Sequence, residues 1–233
     1  SLARAMLVLA AALNLIPLAY TGLFLAPGTA AGGDADARLH FIATHATLWS
    51  VGWLMWMGGS LGFVLSIWTV TRAFVSRTAV PNLLRFAPIV ALIGGTVDVV
   101  GDAIQVTAMP TLAQAYVSAP PGTTTTPLLL FDLADHLAAL LSAGVANTVY
   151  FIAGVLCVVA LARVRAFPRW LTVLGGAAWL ATLAATPAVF FPAVLPIFVA
   201  GALFLYAAWL GGLAIWGIGG WHLRWPMPQF HRV

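Results

Sequence analysis

Six long apolar segments leave this chain one kind of fold. Bounded by Pro, Gly or Arg residues, they lie near residues 4–26, 41–74, 82–108, 129–162, 168–187 and 193–221. Each reaches the roughly 20 residues that a helix needs to cross a bilayer. Backbone groups in lipid must be paired internally, and the segments lack the alternation of barrel strands, so the pattern predicts helices. We therefore expect an all-α integral membrane protein, a six-helix bundle with short loops.

The composition agrees with this fold class. Only 7% of the 233 residues are charged, whereas about 25% are charged in ordinary soluble domains. Six spans use up the chain, so we expect residues 1–233 to form a single transmembrane domain. The one cysteine, Cys157, excludes an internal disulfide. Every basic residue apart from histidine is an arginine and none clusters in a patch, so we expect no nucleic-acid partner.

The arginines indicate how the chain crosses the membrane. They fall at alternate ends of the predicted helices, as Arg4, Arg72, Arg77, Arg85, Arg163, Arg165, Arg169, Arg224 and Arg232. The opposite linkers, 27–40, 109–128 and 188–192, contain only Arg38. By the positive-inside rule both termini are cytoplasmic, and we expect a multi-pass protein of a bacterial cytoplasmic membrane. The stretch Thr111 to Pro127 is long for a bundle connection, and we expect a loop there.

Acids and histidines in the predicted spans form the candidate site. On the third helix, Asp98, Asp102 and Gln105 are spaced i, i+4 and i+7, within a stripe about 60° wide. On the fourth, Asp132 and His136 are four residues apart. Ionisable groups are expensive in lipid and are by default a functional hypothesis. The topology places these residues in the outer half of the bundle, together with His45 on the second helix.

A metal ion is the first interpretation of this cluster. Carboxylate and imidazole ligands from separate helices suit Zn, Fe, Mn or Cu, and the expected ligands are His45, Asp98, Asp102, Asp132 and His136. His40 and Asp135 are expected to orient imidazoles or to shuttle protons as catalytic partners. Trp49, Trp53 and Trp56 share a face with His45 and are expected to line an apolar cofactor or substrate pocket. The function expected is a metal-binding protein, or a metalloenzyme acting from the outer leaflet on a lipid or small apolar substrate.

Other interpretations of the same residues stay open. A b-type haem held by His45 and His136 is disfavoured, because burying four acids beside an apolar ring is costly. A proton-coupled transporter would use the acids and histidines as a relay. A non-catalytic, cofactor- or pigment-binding subunit would present its polar face to a membrane-protein partner. Asp132 and Asp135 also suit the start of a helix, where a carboxylate meets the helix dipole.

Overall fold

The structure is a computed structural model and describes residues 2–29, 33–120, 122–165, 167–191 and 193–217. Throughout these ranges the regular elements are helices and no strand is present. The α-helices are α1 (Leu2–Tyr20), α2 (Ala35–Thr44), α3 (Ala46–Phe74), α4 (Pro81–Val117), α5 (Thr125–Ala139), α6 (Asn147–Ala162), α7 (Arg169–Ala188) and α8 (Leu195–Gly212).

Six helical stretches are long and apolar enough to cross a membrane. Wider π-helical turns extend α1 and α8, and the π-helical segment Leu140–Ala146 joins α5 to α6 without a break. The resulting stretches are Leu2–Gly28, Ala46–Phe74, Pro81–Val117, Thr125–Ala162, Arg169–Ala188 and Leu195–Trp216. This confirms an all-α fold with six helices of membrane-spanning length. The N-in, C-in orientation stays a prediction.

Small residues let the helices approach closely, as is usual in membrane bundles. A Cβ atom added to Gly154 on α6 would collide with the indole of Trp179 on α7. One added to Gly175 on α7 would lie 2.6 Å from the indole nitrogen of Trp209 on α8. Glycine at these positions therefore makes room for large aromatic rings between the last three spans.

Two prolines inside α4 are compensated by hydroxyl groups on α3. Proline has no amide hydrogen, so the carbonyl four residues earlier loses its helical donor. The hydroxyl of Ser50 donates to the Val106 carbonyl at 3.0 Å, opposite Pro110. Thr71 donates in the same way to the Leu84 carbonyl at 2.8 Å, opposite Pro88. The neighbouring helix thus pairs both freed carbonyls, as lipid would require.

Helix α4 is longer than the sequence predicts. Its 37 residues span about 55 Å, against the roughly 30 Å hydrocarbon core of a bilayer. The expected loop from Thr111 to Pro127 is wrong in extent, because α4 continues to Val117 and α5 begins at Thr125. Pro110 does not end the helix, since Ser50 pairs the carbonyl that it frees.

The extra length of α4 packs against α2, a short helix that the sequence prediction did not separate from the second span. Backbone angles at His45 (φ −122°, ψ 33°) break the helix between α2 and α3. The hydroxyl of Tyr116 on α4 donates to the Asp36 carboxylate on α2 at 2.7 Å. A small apolar core fills this end of the bundle, formed by Leu25, Leu39, Ile42, Trp49, Met109, Ala113 and Phe131. We call α2 together with this core the α2 cap.

The opposite end carries two arginine-rich turns that touch each other. Thr78, between α3 and α4, forms an isolated antiparallel bridge with Val164, between α6 and α7. The Thr78 hydroxyl also donates to the Ala160 carbonyl at 2.7 Å. We call this the arginine end. Arg224 and Arg232, which the topology prediction also used, lie outside the described residues.

Candidate functional site: a buried polar stripe on α4

We call Asp98, Asp102 and Gln105, which follow one another along α4, the polar stripe. Asp98 lies near the middle of α4 and is hydrogen-bonded to hydroxyls from two other helices. Ser60 on α3 donates to its Oδ2 at 2.9 Å. Tyr150 on α6 donates to the same oxygen at 3.2 Å. Ser142, in the π-helical segment before α6, donates to the backbone carbonyl at 3.4 Å. The Asp98 carboxyl is therefore fixed in position by hydroxyl donors.

Asp102 lies one turn along α4 from Asp98 and is more deeply buried, with 2% of its surface exposed. Its carboxyl has no hydrogen bond within the described ranges, and the neighbouring charge that acts on it is the Asp98 carboxylate. Buried polar side chains nearly always have a partner. An acid in this position is therefore unusual and costly to the fold.

Gln105, one further turn along the stripe, connects α4 to an ion pair at the α2 cap. Its Nε2 donates to Asp135 Oδ1 at 3.2 Å. The other carboxylate oxygen of Asp135 accepts from Arg38 Nη2 at 2.6 Å. Arg38 also donates from Nε to the Gly28 carbonyl at 3.1 Å and lies over the Phe131 ring, 5.1 Å from its centroid. Only 9% of the Arg38 side chain is exposed, against 20% for Asp135.

Arg38 is the functional candidate that sequence reasoning missed. It was the one exception to the arginine asymmetry, and the structure gives the reason: its charge is buried against Asp135, 97 residues away in sequence. The available signal was a single arginine next to apolar residues such as Leu39 and Ile42, which indicates a charge that is buried and paired. No spacing rule could have named its partner.

Two residues of this α3–α4 interface, Trp53 and Gln105, carry a buried polar atom without a partner within the described residues. The indole nitrogen of Trp49 donates to the Gln105 carbonyl at 3.0 Å, and Ser60 bonds Asp98 further along the same two helices. Trp53 lies between these two contacts on α3, as Asp102 does on α4. The indole nitrogen of Trp53 and the Oε1 of Gln105 are buried and unpaired within the described part of the chain. Asn14, Trp179 and Trp209 also carry such an atom, so unpaired groups are not confined to this interface.

The predicted histidines do not face this stripe. Each of the three is exposed and directs Nδ1 to a backbone carbonyl of its own helix. His136 Nδ1 lies 2.7 Å from the Asp132 carbonyl, and His40 Nδ1 lies 3.0 Å from that of Asp36. His45 Nδ1 lies 3.1 Å from the Phe41 carbonyl, and its ring stacks on the Phe41 ring at 4.6 Å.

The expected metal ligands are only partly brought together. Asp98 and Asp102 adjoin on the stripe, whereas His45, Asp132 and His136 do not join them in a cluster. No group of three or more His, Cys, Asp and Glu side chains in the described ranges could hold a metal ion. Asp135, the expected partner of an imidazole, is paired with Arg38 instead. The arrangement gives the metal hypothesis no support, and the catalytic roles of His40 and Asp135 stay predictions.

The three tryptophans on α3 diverge instead of lining one pocket wall. Trp49 is buried and bonds α4. Trp53 packs beside it with ring centroids 5.8 Å apart. Trp56 turns to α1, where its indole nitrogen donates to the Thr21 hydroxyl at 2.8 Å. Their contacts hold α3 to its neighbours, and a role in cofactor binding stays a prediction.

Comparison with known proteins gives no match: neither a protein-family model, nor a curated protein, nor a solved structure resembles this chain significantly. The site must therefore be interpreted from its own chemistry. Three carboxyl groups, those of Asp98, Asp102 and Asp135, stand along the stripe and its ion pair. One guanidinium, that of Arg38, pairs with Asp135 alone among them. What distinguishes the site is this excess of buried acid.

Proposed function

We propose that this chain is a membrane transporter that carries protons, binds them at Asp98 and Asp102 and passes them without needing a second substrate. One observation carries the proposal: Asp102 is almost fully buried, lies one turn from Asp98 and has no hydrogen-bond partner in the described ranges. A buried ionised carboxylate without a counter-charge is costly, and two adjacent ones repel each other. Taking up a proton removes both penalties. Intramembrane acids of this kind are typical of proton relays in pumps and transporters.

The surroundings of the two acids favour a proton over a larger ion. Tyr150, which bonds Asp98, is followed toward the arginine end by two further hydroxyls, those of Tyr206 and Ser66. The ring of Phe63 stacks between Tyr150, at 4.6 Å, and Tyr206, at 4.5 Å. Tyr206 in turn donates to the Ser66 hydroxyl at 2.6 Å. The donors to the Asp98 carboxyl are hydroxyls, which can give and accept protons, and within the described residues no third acid or imidazole joins the two acids to hold a metal ion.

The orientation completes the proposal. The positive-inside rule assigns the arginine end to the cytoplasm and the α2 cap to the outside. We expect a thiol introduced at position 77 to be protected from an impermeant reagent in intact cells, and one introduced at position 34 to be labelled. The reverse pattern would invert the proposed direction of proton entry. The native Cys157 is buried and can be replaced by alanine in both variants.

The test of function is proton flux in proteoliposomes. A potassium diffusion potential set up with valinomycin drives protons inward, and an internal pH dye measures their entry. We expect flux above that of protein-free vesicles for the wild type, and its loss in Asp98→Asn and Asp102→Asn. Asp132→Asn, which alters an acid outside the stripe, is the matched control and should retain the flux. Wild-type flux no greater than that of empty vesicles would contradict the proposal.

The same preparation separates the remaining hypotheses. Elemental analysis that found stoichiometric Zn, Fe, Mn or Cu, lost in His136→Ala, would favour the metal-binding function over proton transport. An absorption spectrum with haem or pigment bands would favour a cofactor-binding subunit. We expect neither signal.

A further inference from the structure

We infer that Arg38, Asp135 and Gln105 form a gate that closes access to Asp102 from the α2 cap. This inference goes beyond the proposed function, because it concerns the accessibility of Asp102 whether or not that residue carries protons. The gate has three parts on three helices: the guanidinium on α2, the carboxylate on α5 and the amide on α4. The distances of 2.6 Å and 3.2 Å join them in a continuous chain.

These three hydrogen-bonded side chains lie between Asp102 and the α2 cap. Gln105 lies three residues from Asp102 on α4, between that acid and the ion pair. Its Nε2 is bonded toward Asp135, while its Oε1 is buried and unpaired in the described part of the chain. Gln105 is 4% exposed and Asp102 is 2% exposed. The closed arrangement therefore seals the acid from this end.

The connections of α2 suit a moving element. α2 packs mainly on α4 and on the turn Ala26–Gly28, and the ion pair between Arg38 and Asp135 links it to α5. The non-helical angles at His45 separate α2 from α3. At its other end Gly33 has φ +129°, a conformation that glycine adopts readily. α2 is thus bounded by two bends about which it can tilt.

A buried ion pair is better suited to a conformational switch than to stabilising the fold. Desolvating both charges offsets much of their attraction, so such pairs add little net stability, and a registry or switching role is their best-attested use. Removing one partner leaves the other charge buried and uncompensated. The remaining charge is then drawn toward water, and α2 and α5 separate at this point. Loss of either Arg38 or Asp135 should therefore favour the open state.

The test is the labelling rate of a thiol placed at the acid. Cys157→Ala removes the native thiol and Asp102→Cys introduces the reporter. A small cationic methanethiosulfonate probes the purified protein in detergent, where the charge of the reagent keeps it out of the apolar phase. We expect slow labelling in this background, and labelling faster by about tenfold or more after Arg38→Gln or Asp135→Asn, as the open population rises.

Matched variants separate gating from general loosening. Tyr116→Phe removes another hydrogen bond between α2 and α4 and should leave the rate unchanged. The exchange Arg38→Asp with Asp135→Arg should return the rate toward the slow value. Asp135→Asn, which removes the pair from the other helix, serves alone if Arg38→Gln fails to fold. Equal rates in all variants, or fast labelling before the pair is altered, would overturn the gate.

Discussion

Asp102 and Asp135 should respond in opposite ways to replacement by alanine, although both side chains are largely withdrawn from solvent. Asp135→Ala should destabilise the fold strongly, because it leaves the Arg38 guanidinium buried without its counter-ion. Asp102→Ala should be neutral or stabilising, because it removes a buried acid that has no partner in the described ranges. Burial alone would predict the same sign for both.

The expected magnitudes follow from the contacts. Breaking a buried ion pair by removing one partner costs about 3–5 kcal/mol. The Arg38 and Asp135 side chains are 9% and 20% exposed, so solvent screens this pair only weakly. Burying a polar group without a hydrogen bond costs about 1–3 kcal/mol, and Asp102→Ala recovers that amount less the cost of a small cavity. The two variants should therefore differ by several kcal/mol in the free energy of unfolding.

The assay is thermal unfolding in detergent, followed by tryptophan fluorescence. For a chain of this length 1 kcal/mol corresponds to roughly 2–4 °C, so Asp135→Ala should lower the melting temperature by about 6–20 °C. Asp102→Ala should leave it unchanged or raise it. Asp132→Ala provides a control for an acid outside both contacts. If Asp102→Ala lowers the melting temperature as much as Asp135→Ala does, Asp102 has a stabilising partner and the reasoning is refuted.

Two further predictions concern how the bundle is built. Ser50→Ala should lower the free energy of unfolding by about 1 kcal/mol, because it leaves the Val106 carbonyl unpaired. The loss should be much smaller in a Pro110→Ala background, which restores the helical amide donor. Equal losses in the two backgrounds of this double-mutant cycle would disprove the compensation. Gly154→Ala should lower the melting temperature and perturb tryptophan fluorescence, because its new methyl group meets the Trp179 ring. Gly176→Ala, where no atom lies within 4 Å, should do neither.

Hydropathy predicted the six long helices because that signal is summed over some twenty residues and survives local exceptions. Its failures were local. The stretch from Thr111 to Val117 follows a proline and was assigned to a loop, yet it stays helical because Ser50, sixty positions before that proline, pairs the carbonyl that the proline frees. The break at His45 carries no proline or glycine, so nothing in the sequence separated α2 from α3.

The sequence predicted which site residues share a helix face, but not whether that face points into the bundle or away from it. A four-residue interval says that two side chains share a helix face, and it does not say which way that face points. Asp98 and Asp102 face the interior, whereas His136, at the same interval from Asp132, is exposed. Long-range pairing was also out of reach, since nothing near Arg38 in the sequence points to Asp135.

The exception to the arginine asymmetry and the excess of buried acid have one physical explanation. A single arginine on the arginine-poor side would weaken the topology signal without benefit if its charge were simply exposed. Buried against Asp135, it compensates one of three carboxyls and leaves Asp98 and Asp102 without a fixed counter-charge. A fold selected only for stability would compensate all of them or replace them with apolar residues. The unequal pairing is what a site requires if its charge must change during its working cycle.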